Sequence, residues 1–352
     1  MADMKVLLYY ENESLIQMSG IGRALEHQKA ALASQSIEYT VHPTDDYDIL
    51  HINTVGLNSE LMIHHARKHG KKVIYHAHST EEDFRNSFKL SNLVSPLWKK
   101  SLVSLYSKAD AIITPTPYSR SLIQNYGIEL PIYPISNGID LSQYVYDEEK
   151  VLAFHRYFHL SENQNVVIGV GLPFERKGIL DFVEVAKRMP EVTFIWFGEL
   201  NPIAVPAKVN EVVENYPSNC IFPGYVKGPI IQGAYCAANA FFFPSYEETE
   251  GIVVLEALAA KQQVIVRDIG VFESWLKNGV SCYKGCSNGE FRNLLEGCLK
   301  GNLPHTGKQG YEVAKTRTIE VVGQQLRMVY EAVLREELLD DMALGKVEQS
   351  VK

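Results

Sequence analysis

Residues Phe241–Ala260 read FFFPSYEETEGIVVLEALAA. The apolar run from Ala240 to Phe243 stops at Pro244, a polar loop carries Glu247, Glu248 and Glu250, and Gly251 ends it. Ile252 to Ala260, rich in Leu and Ala, has the composition of a helix. A strand, a short loop and a helix start is how α/β proteins build ligand sites at the carboxyl ends of strands. Unpaired N–H groups at such a helix start hold anions. Glu248 in the loop and Glu256 on the helix can flank one bound molecule. Two carboxylates beside an anion-binding helix end fit a ligand with both phosphates and hydroxyls, as a nucleotide sugar has. The plain alternative is a solvated acidic loop before an ordinary core helix.

Outward from that stretch, strand and helix patterns alternate. Val166–Val170, Thr193–Phe197, Asn219–Phe222 and Val264–Arg267 read as strands, with helices over Ile179–Arg188, Pro206–Asn215 and Ile230–Ala238. In the first half, Lys5–Tyr9, Ile49–Ile52, Val73–Tyr75, Ala111–Thr114 and Ile132–Ile135 are strand-like. Helices are expected over Arg23–Ala33, Ser59–His69 and Ser119–Tyr126. This alternation predicts an α/β protein of doubly wound parallel sheets. A chain of 352 residues has room for two such domains. The boundaries are placed at 1–145 and 146–308, with C-terminal helices over 309–352 crossing back toward the first domain. Gln309–Leu339 reads as helical throughout, and the polar end from Asp340 as frayed.

Hydrophobic residues make up 46% and charged residues 22%, ordinary for a soluble enzyme. A net charge of −8 argues against a nucleic-acid partner. The five cysteines show no metal-ligand spacing and read as reduced thiols of a cytoplasmic protein. Asp46-Tyr47-Asp48, a tempting metal pair, precedes a strand and reads as a turn. The opening MADMKVLLYY is too short and too quickly acidic for a signal peptide. No apolar run reaches the roughly 18 residues of a membrane span.

Several motifs together resemble the retaining glycosyltransferases of family 4. Pro244-Ser245, Glu248, Gly251 and Glu256 match the paired-glutamate motif of that family, and Asn137-Gly138-Ile139-Asp140 its segment before the interdomain crossover. Arg176-Lys177-Gly178 matches its donor-phosphate loop, Ser19-Gly20 its N-terminal glycine loop, and His78 its active-site histidine. The stretches GLPFERKGILDF, FIWFGE and HAHSTEEDFRNSF are similar to those of Gram-positive bacterial enzymes that add a second hexose to monoglucosyldiacylglycerol, making the glycolipid anchor of lipoteichoic acid. The resemblance implies a GT-B fold, two Rossmann-like domains facing a central cleft. It implies a UDP-hexose donor, galactose or glucose, a glycolipid acceptor, and no cofactor or catalytic metal. The alternative acceptor is a soluble or cell-wall saccharide. Two positions depart from the family pattern: Leu172 stands where many members have Arg, and Glu250 where an aromatic is common.

By the same resemblance Lys177, with Arg176, meets the donor diphosphate, and Gly20, Gly251, Ile252 and Val253 line the donor site. Glu256 accepts from the ribose hydroxyls and Glu248 from the transferred hexose. His78 orients the hexose and stabilises developing charge. His76 is the fallback, and the two are expected on opposite faces of their strand. The stretch Arg67–Lys108 is rich in Lys, Arg and Leu within an acidic chain. Arg85, Lys89, Trp98, Lys99 and Lys100 are therefore assigned to docking on an anionic membrane, at the inner face of the cell membrane. The alternative there is a packed amphipathic helix with a solvated basic face.

Overall fold

The computed structural model describes residues 4–12, 20–161, 163–199 and 206–349. They form two compact units. Unit 1 takes the chain up to Glu82, Leu93–Ile139, and the chain from Thr316 onward; unit 2 takes Asp83–Asn92 and Asp140–Lys315. Ser19 of the glycine-loop match lies outside the described residues.

Unit 1 is built on a six-stranded sheet in the order β2-β1-β3-β4-β5-β6. Its strands are β1 (Lys5–Tyr9), β2 (Glu38–Thr40), β3 (Ile49–Ile52), β4 (Lys72–His76), β5 (Ala111–Thr114) and β6 (Ile132–Pro134). Every pairing is parallel. Helices α1 (Gly20–Ser34), α2 (Leu57–Lys68), α3 (Glu81–Phe84), α4 (Ser91–Tyr106) and α5 (Pro117–Asn125) occupy the connections. One sheet face is covered by Ile63 and Ala66 of α2, Leu102 and Leu105 of α4, and Ile123 of α5. The other face is covered by Ala31 and Leu32 of α1 together with a helix from the far end of the chain.

Unit 2 has helix α6 (Glu148–Tyr157) and a second parallel sheet, ordered β12-β11-β10-β7-β8-β9. The strands are β7 (Val166–Val170), β8 (Thr193–Phe197), β9 (Cys220–Gly224), β10 (Ala240–Phe243), β11 (Val264–Arg267) and β12 (Tyr283–Gly285). Between them run α7 (Ile179–Lys187), α8 (Ala207–Glu214), α9 (Pro229–Ala237) and α10 (Ile252–Ala259), followed by α11 (Asn288–Leu299) and α12 (Gly307–Lys315). Alternate residues of β10 serve opposite faces: Phe242 packs with Phe182 and Phe291, whereas Phe241 stacks on Phe243 and Tyr235. Cys220 and Cys282 are free thiols, and burial pushes both up to about 12, so they stay neutral.

The C-terminal stretch is not one helix. It breaks at Thr316–Thr318, where Thr318 accepts from Val321 N–H and caps α13 (Ile319–Leu334). At the break Ile139 N–H donates to the Arg317 carbonyl and Ile319 N–H to that of Ile139, so the end of one strand connection is stitched to the start of α13. As far as the described residues run, to Gln349, the end from Asp340 is not frayed. It forms α14 (Asp341–Gln349), with Leu344 buried and its carbonyl accepting from Gln325. Asp46 and Asp48 diverge: the first pairs with Lys71 at 2.8 Å, the second accepts from the Lys5 backbone N–H.

Helix α13 lies close against α1. A Cβ on Gly323 would stand 2.4 Å from the Ala31 carbonyl oxygen. Gly323→Val should therefore push α13 off α1 and lower stability by about 1–3 kcal/mol, the usual range for overpacking. Urea unfolding against wild type measures this, and an unchanged midpoint would show that the crossing tolerates a side chain.

Candidate active site

In an open parallel sheet, ligands bind where the strand order reverses. In unit 2 that point lies between β7 and β10, so the loops following these strands meet. After β7 the chain makes a 3-10 turn, Glu175–Lys177, and turns at Gly178 with φ +77°. A Cβ on Gly178 would stand 2.4 Å from the Pro244 carbonyl oxygen, so the two loops touch at backbone distance and only glycine fits.

That contact brings Lys177 to Glu248. Lys177 Nζ lies 2.5 Å from Glu248 Oε1, and Ser245 Oγ donates to the same oxygen at 2.6 Å. Glu248 is buried, as is Glu250, so the loop is not the solvated alternative. Burial opposes ionisation of Glu248, but Lys177 and then Arg176 outweigh it and hold the carboxyl below its usual range. Burial likewise lowers Lys177, against the attraction of Glu248. The Arg176 guanidinium is largely occupied. It donates to Ser87 Oγ at 3.0 Å and to the Glu247 carbonyl at 2.7 Å, and lies 3.7 Å from Glu248. Arg176 thus ties the Asp83–Asn92 segment to the rest of unit 2, while Lys177 pairs with Glu248.

Gly251, at φ +91°, turns the chain into α10. The first-turn N–H groups of Ile252 and Val253 have no intrahelical acceptor and lie at the positive end of the helix. Glu256 is buried within α10, one carboxylate oxygen accepting from Tyr235 OH at 2.7 Å. Arg176, Lys177, Glu248, Gly251, Ile252, Val253 and Glu256 are thereby all placed in unit 2; Gly20, at the start of α1, and His78 belong to unit 1.

Unit 1 has its own reversal, between β1 and β3. At the carboxyl ends of β1, β3 and β4 lies a cavity of about 190 Å³, with Glu11, Asn53, His76, His78, Trp98 and Tyr106 among its walls. His76 and His78 do not take opposite faces. Residues two apart in extended chain share a face, and the rings stack in parallel, centroids 4.0 Å apart. The His51 ring lies parallel to His76, centroids 5.4 Å apart, with His51 Nε2 3.3 Å from His76 Nδ1. Burial pushes His51 and His78 down to about 3 and His76 well below its ordinary value. The sequence reading missed His51 and Asn53. Their signal was position: they end the strand beside β1, at the reversal.

The residues assigned to membrane docking divide. Arg85, Lys89 and Lys100 are exposed. Trp98 turns inward, packing against the core under α4 and forming part of the cavity wall. Lys99 lies 3.5 Å from Glu81 and 4.4 Å over the Tyr126 ring. Apolar side chains take the outer face of α4, where Leu93 is 74% and Leu97 64% exposed. Leu57 and Leu61 are uncovered on α2, which covers the same sheet face.

Residues 20–143 match the model of Glycosyltransferase Family 4, and residues 164–294 that of Glycosyl transferases group 1. The chain is 48% identical over 335 residues to the processive diacylglycerol alpha-glucosyltransferase of Acholeplasma laidlawii, covering 94% of this chain and 99% of that one. It is 26% identical over 274 residues to the alpha-galactosylglucosyldiacylglycerol synthase of Streptococcus pneumoniae, covering 76% and 73%. Among solved structures, Anabaena HepE in complex with UDP-glucose superposes with a TM-score of 0.75 at 16% identity, over 94% of this chain and 100% of that one.

The histidine stack makes stability depend on pH. His78 stays neutral when folded, while in the unfolded chain it takes up a proton below its ordinary value of 6.5. Its contribution is full above pH 6.5 and is lost as the pH falls toward 3. At pH 5.5 the loss is about 1.4 kcal/mol for each such histidine. Urea unfolding at pH 7.5 and 5.5 should show a smaller pH penalty in His78→Gln than in wild type. Equal penalties would mean that folded His78 exchanges protons with solvent.

Proposed function

The chain belongs to glycosyltransferase family 4, and from that premise we propose that it transfers glucose from UDP-glucose to monoglucosyldiacylglycerol with retention of configuration. The observation that carries this reading is the 48% identity, over nearly the whole of both chains, to a diacylglycerol glucosyltransferase. The two six-stranded parallel sheets have the Rossmann-like form of the GT-B fold, and a GT-B relative of the same fold holds UDP-glucose.

In this reading the donor binds unit 2. Lys177 and the first-turn N–H groups of α10 meet the diphosphate, Glu256 the ribose, and Glu248 the hexose hydroxyls. Gly20 and His78 keep the roles that the family resemblance gives them, His78 that of orienting the hexose. The anomeric C–O bond breaks with its electrons passing to the diphosphate oxygen. The acceptor hydroxyl bonds to the anomeric carbon on the same face and gives its proton to that oxygen. Charge grows on the diphosphate, which is where Lys177 is most useful. No metal is called on, so transfer should survive chelation, and strict manganese dependence would defeat that point.

The acceptor is met at a membrane surface. Among the described residues no helix is long and apolar enough to cross one. Docking instead falls to exposed Leu93 and Leu97, with Arg85, Lys89 and Lys100 facing anionic lipid. Leucines inserted at the headgroup level and cations above them are the pattern of an interfacial helix. A soluble acceptor would have no use for these uncovered leucines.

The first test is transfer itself: with monoglucosyldiacylglycerol the protein should give the diglucosyl lipid from UDP-glucose, UDP-galactose being the competing donor, and no glycolipid product from either donor would end the reading. Lys177→Ala should lose about 1.5–3 kcal/mol of UDP affinity by calorimetry. Glu248→Gln should bind UDP at least as well as wild type, because Lys177 is released from its partner, while turnover falls about tenfold or more. Weaker UDP binding in Glu248→Gln would reverse the roles given to the two residues.

Docking is tested by Leu93→Ser with Leu97→Ser. Binding to anionic liposomes should drop with little change in salt dependence, and UDP affinity should hold. For Lys89→Glu with Lys100→Glu the loss should shrink as salt rises, since the attraction fades within a Debye length. Wild-type liposome binding in both double variants would move the membrane face elsewhere.

A further inference from the structure

Helix α10 reads IVVLEALA, and Glu256 is its only charged residue. It is 3% exposed, and buried residues stand on both sides of it in sequence. A carboxyl in such a place needs hydrogen-bond donors. Tyr235, from α9, supplies one: its hydroxyl donates to Glu256 Oε2 at 2.7 Å.

The phenol is itself locked. Tyr235 is 1% exposed, its ring edge-on to Tyr144 at 5.6 Å and stacked on Phe241 at 5.7 Å. Its backbone is held as well. Gln262 Nε2 donates to the Tyr235 carbonyl at 2.5 Å and to that of Ala238 at 2.8 Å, which fixes the end of α9. Beside it α9 lies on α6 at backbone distance, because a Cβ on Gly233 would stand 2.0 Å from the Lys150 carbonyl oxygen. A glutamate has three side-chain torsions to order, and a fixed donor on Oε2 removes most of that freedom before a ligand arrives.

Glu256 follows Ile252 by four residues, so the two share a face of α10. The carboxyl has two oxygens with about four acceptor positions, of which the Tyr235 hydroxyl takes one. Two neighbouring hydroxyls of a ribose can use others.

We propose that Tyr235 is a positioning residue for the donor ribose. Its hydroxyl holds the Glu256 carboxyl in the orientation that accepts from the 2′- and 3′-hydroxyls, so the preference for a ribonucleotide depends on Tyr235. The inference rests on the reading of Glu256 as the residue that meets ribose.

The test is calorimetry of the full chain with UDP and with 2′,3′-dideoxy-UDP. Wild type should bind UDP at least tenfold more tightly. Tyr235→Phe should lose about tenfold for UDP, the size of one hydrogen bond to a charged group, and nothing for the dideoxy nucleotide. Damage to packing alone would weaken both nucleotides together. A double-mutant cycle gives the second measurement. In a Glu256→Ala background, Tyr235→Phe should leave UDP affinity unchanged. That comparison also serves if Tyr235→Phe alone does not fold, since it leaves no carboxyl without its donor.

Equal losses for the two nucleotides in Tyr235→Phe, or no loss for UDP, overturn the proposal and leave Glu256 with the ribose. A further loss of UDP affinity on adding Tyr235→Phe to Glu256→Ala overturns it too, because Tyr235 would then act other than through Glu256. A wild type that binds UDP and 2′,3′-dideoxy-UDP alike takes the ribose away from Glu256; the reading beneath the proposal then fails, and the proposal with it.

Discussion

A carboxylate withdrawn from water must be matched by cations and donors, or it protonates. Glu248 is matched by Lys177, Ser245 and, farther off, Arg176. Much of unit 2 follows from that requirement. Lys177 reaches Glu248 because the loops after β7 and β10 meet at Gly178, and they meet because the strand order reverses between those strands. Arg176, drawn into the same cluster, holds Ser87 and so fastens a segment that is remote in sequence. Such a buried pair adds little net stability against an apolar replacement. In the proposed reaction its value lies in holding a lysine ready for the donor diphosphate.

Unit 1 solves the same burial problem without charge. His51, His76 and His78 give up protonation and are held by hydrogen bonds with Gln28, Asn53 and Tyr330. The two units therefore present opposite chemistry at equivalent points of similar sheets, a charged cluster in one and neutral imidazoles in the other. That division fits a reaction joining a charged nucleotide donor to a neutral glycolipid.

Much of this was legible in the sequence, for particular physical reasons. Most strands are short apolar runs bounded by turns, and the motif glycines sit where the backbone needs positive φ or close approach, as at Gly178 and Gly251. The edge strand β2 was illegible because its three residues, Glu38–Thr40, are mostly exposed and carry little apolar signal. The break at Thr316–Thr318 contains neither Gly nor Pro; Thr318 acts through its cap, a weak mark inside a helical pattern. Trp98 was misread because composition does not tell which helix face is covered. On α4 it falls with Ser95 and Leu102, one turn to either side, both buried. The histidine chain joins residues 28, 51, 53, 76, 78 and 330, a juxtaposition that no local pattern carries.

The return of the chain into unit 1 also sets an order of assembly. Val6, Leu8, Ile49, Ile74 and Ile113 share a core with Val322, Leu326, Val329 and Tyr330. A ribosome making this protein releases the five strand residues long before the four helix residues that complete their cover. Asp140–Lys315, by contrast, carries nearly all of unit 2 in one continuous piece, joined only by Asp83–Asn92, which emerges earlier still. The half made second has all its parts first. Until α13 arrives, the nascent first half holds one sheet face with an apolar stripe open, the kind of surface that chaperones cover.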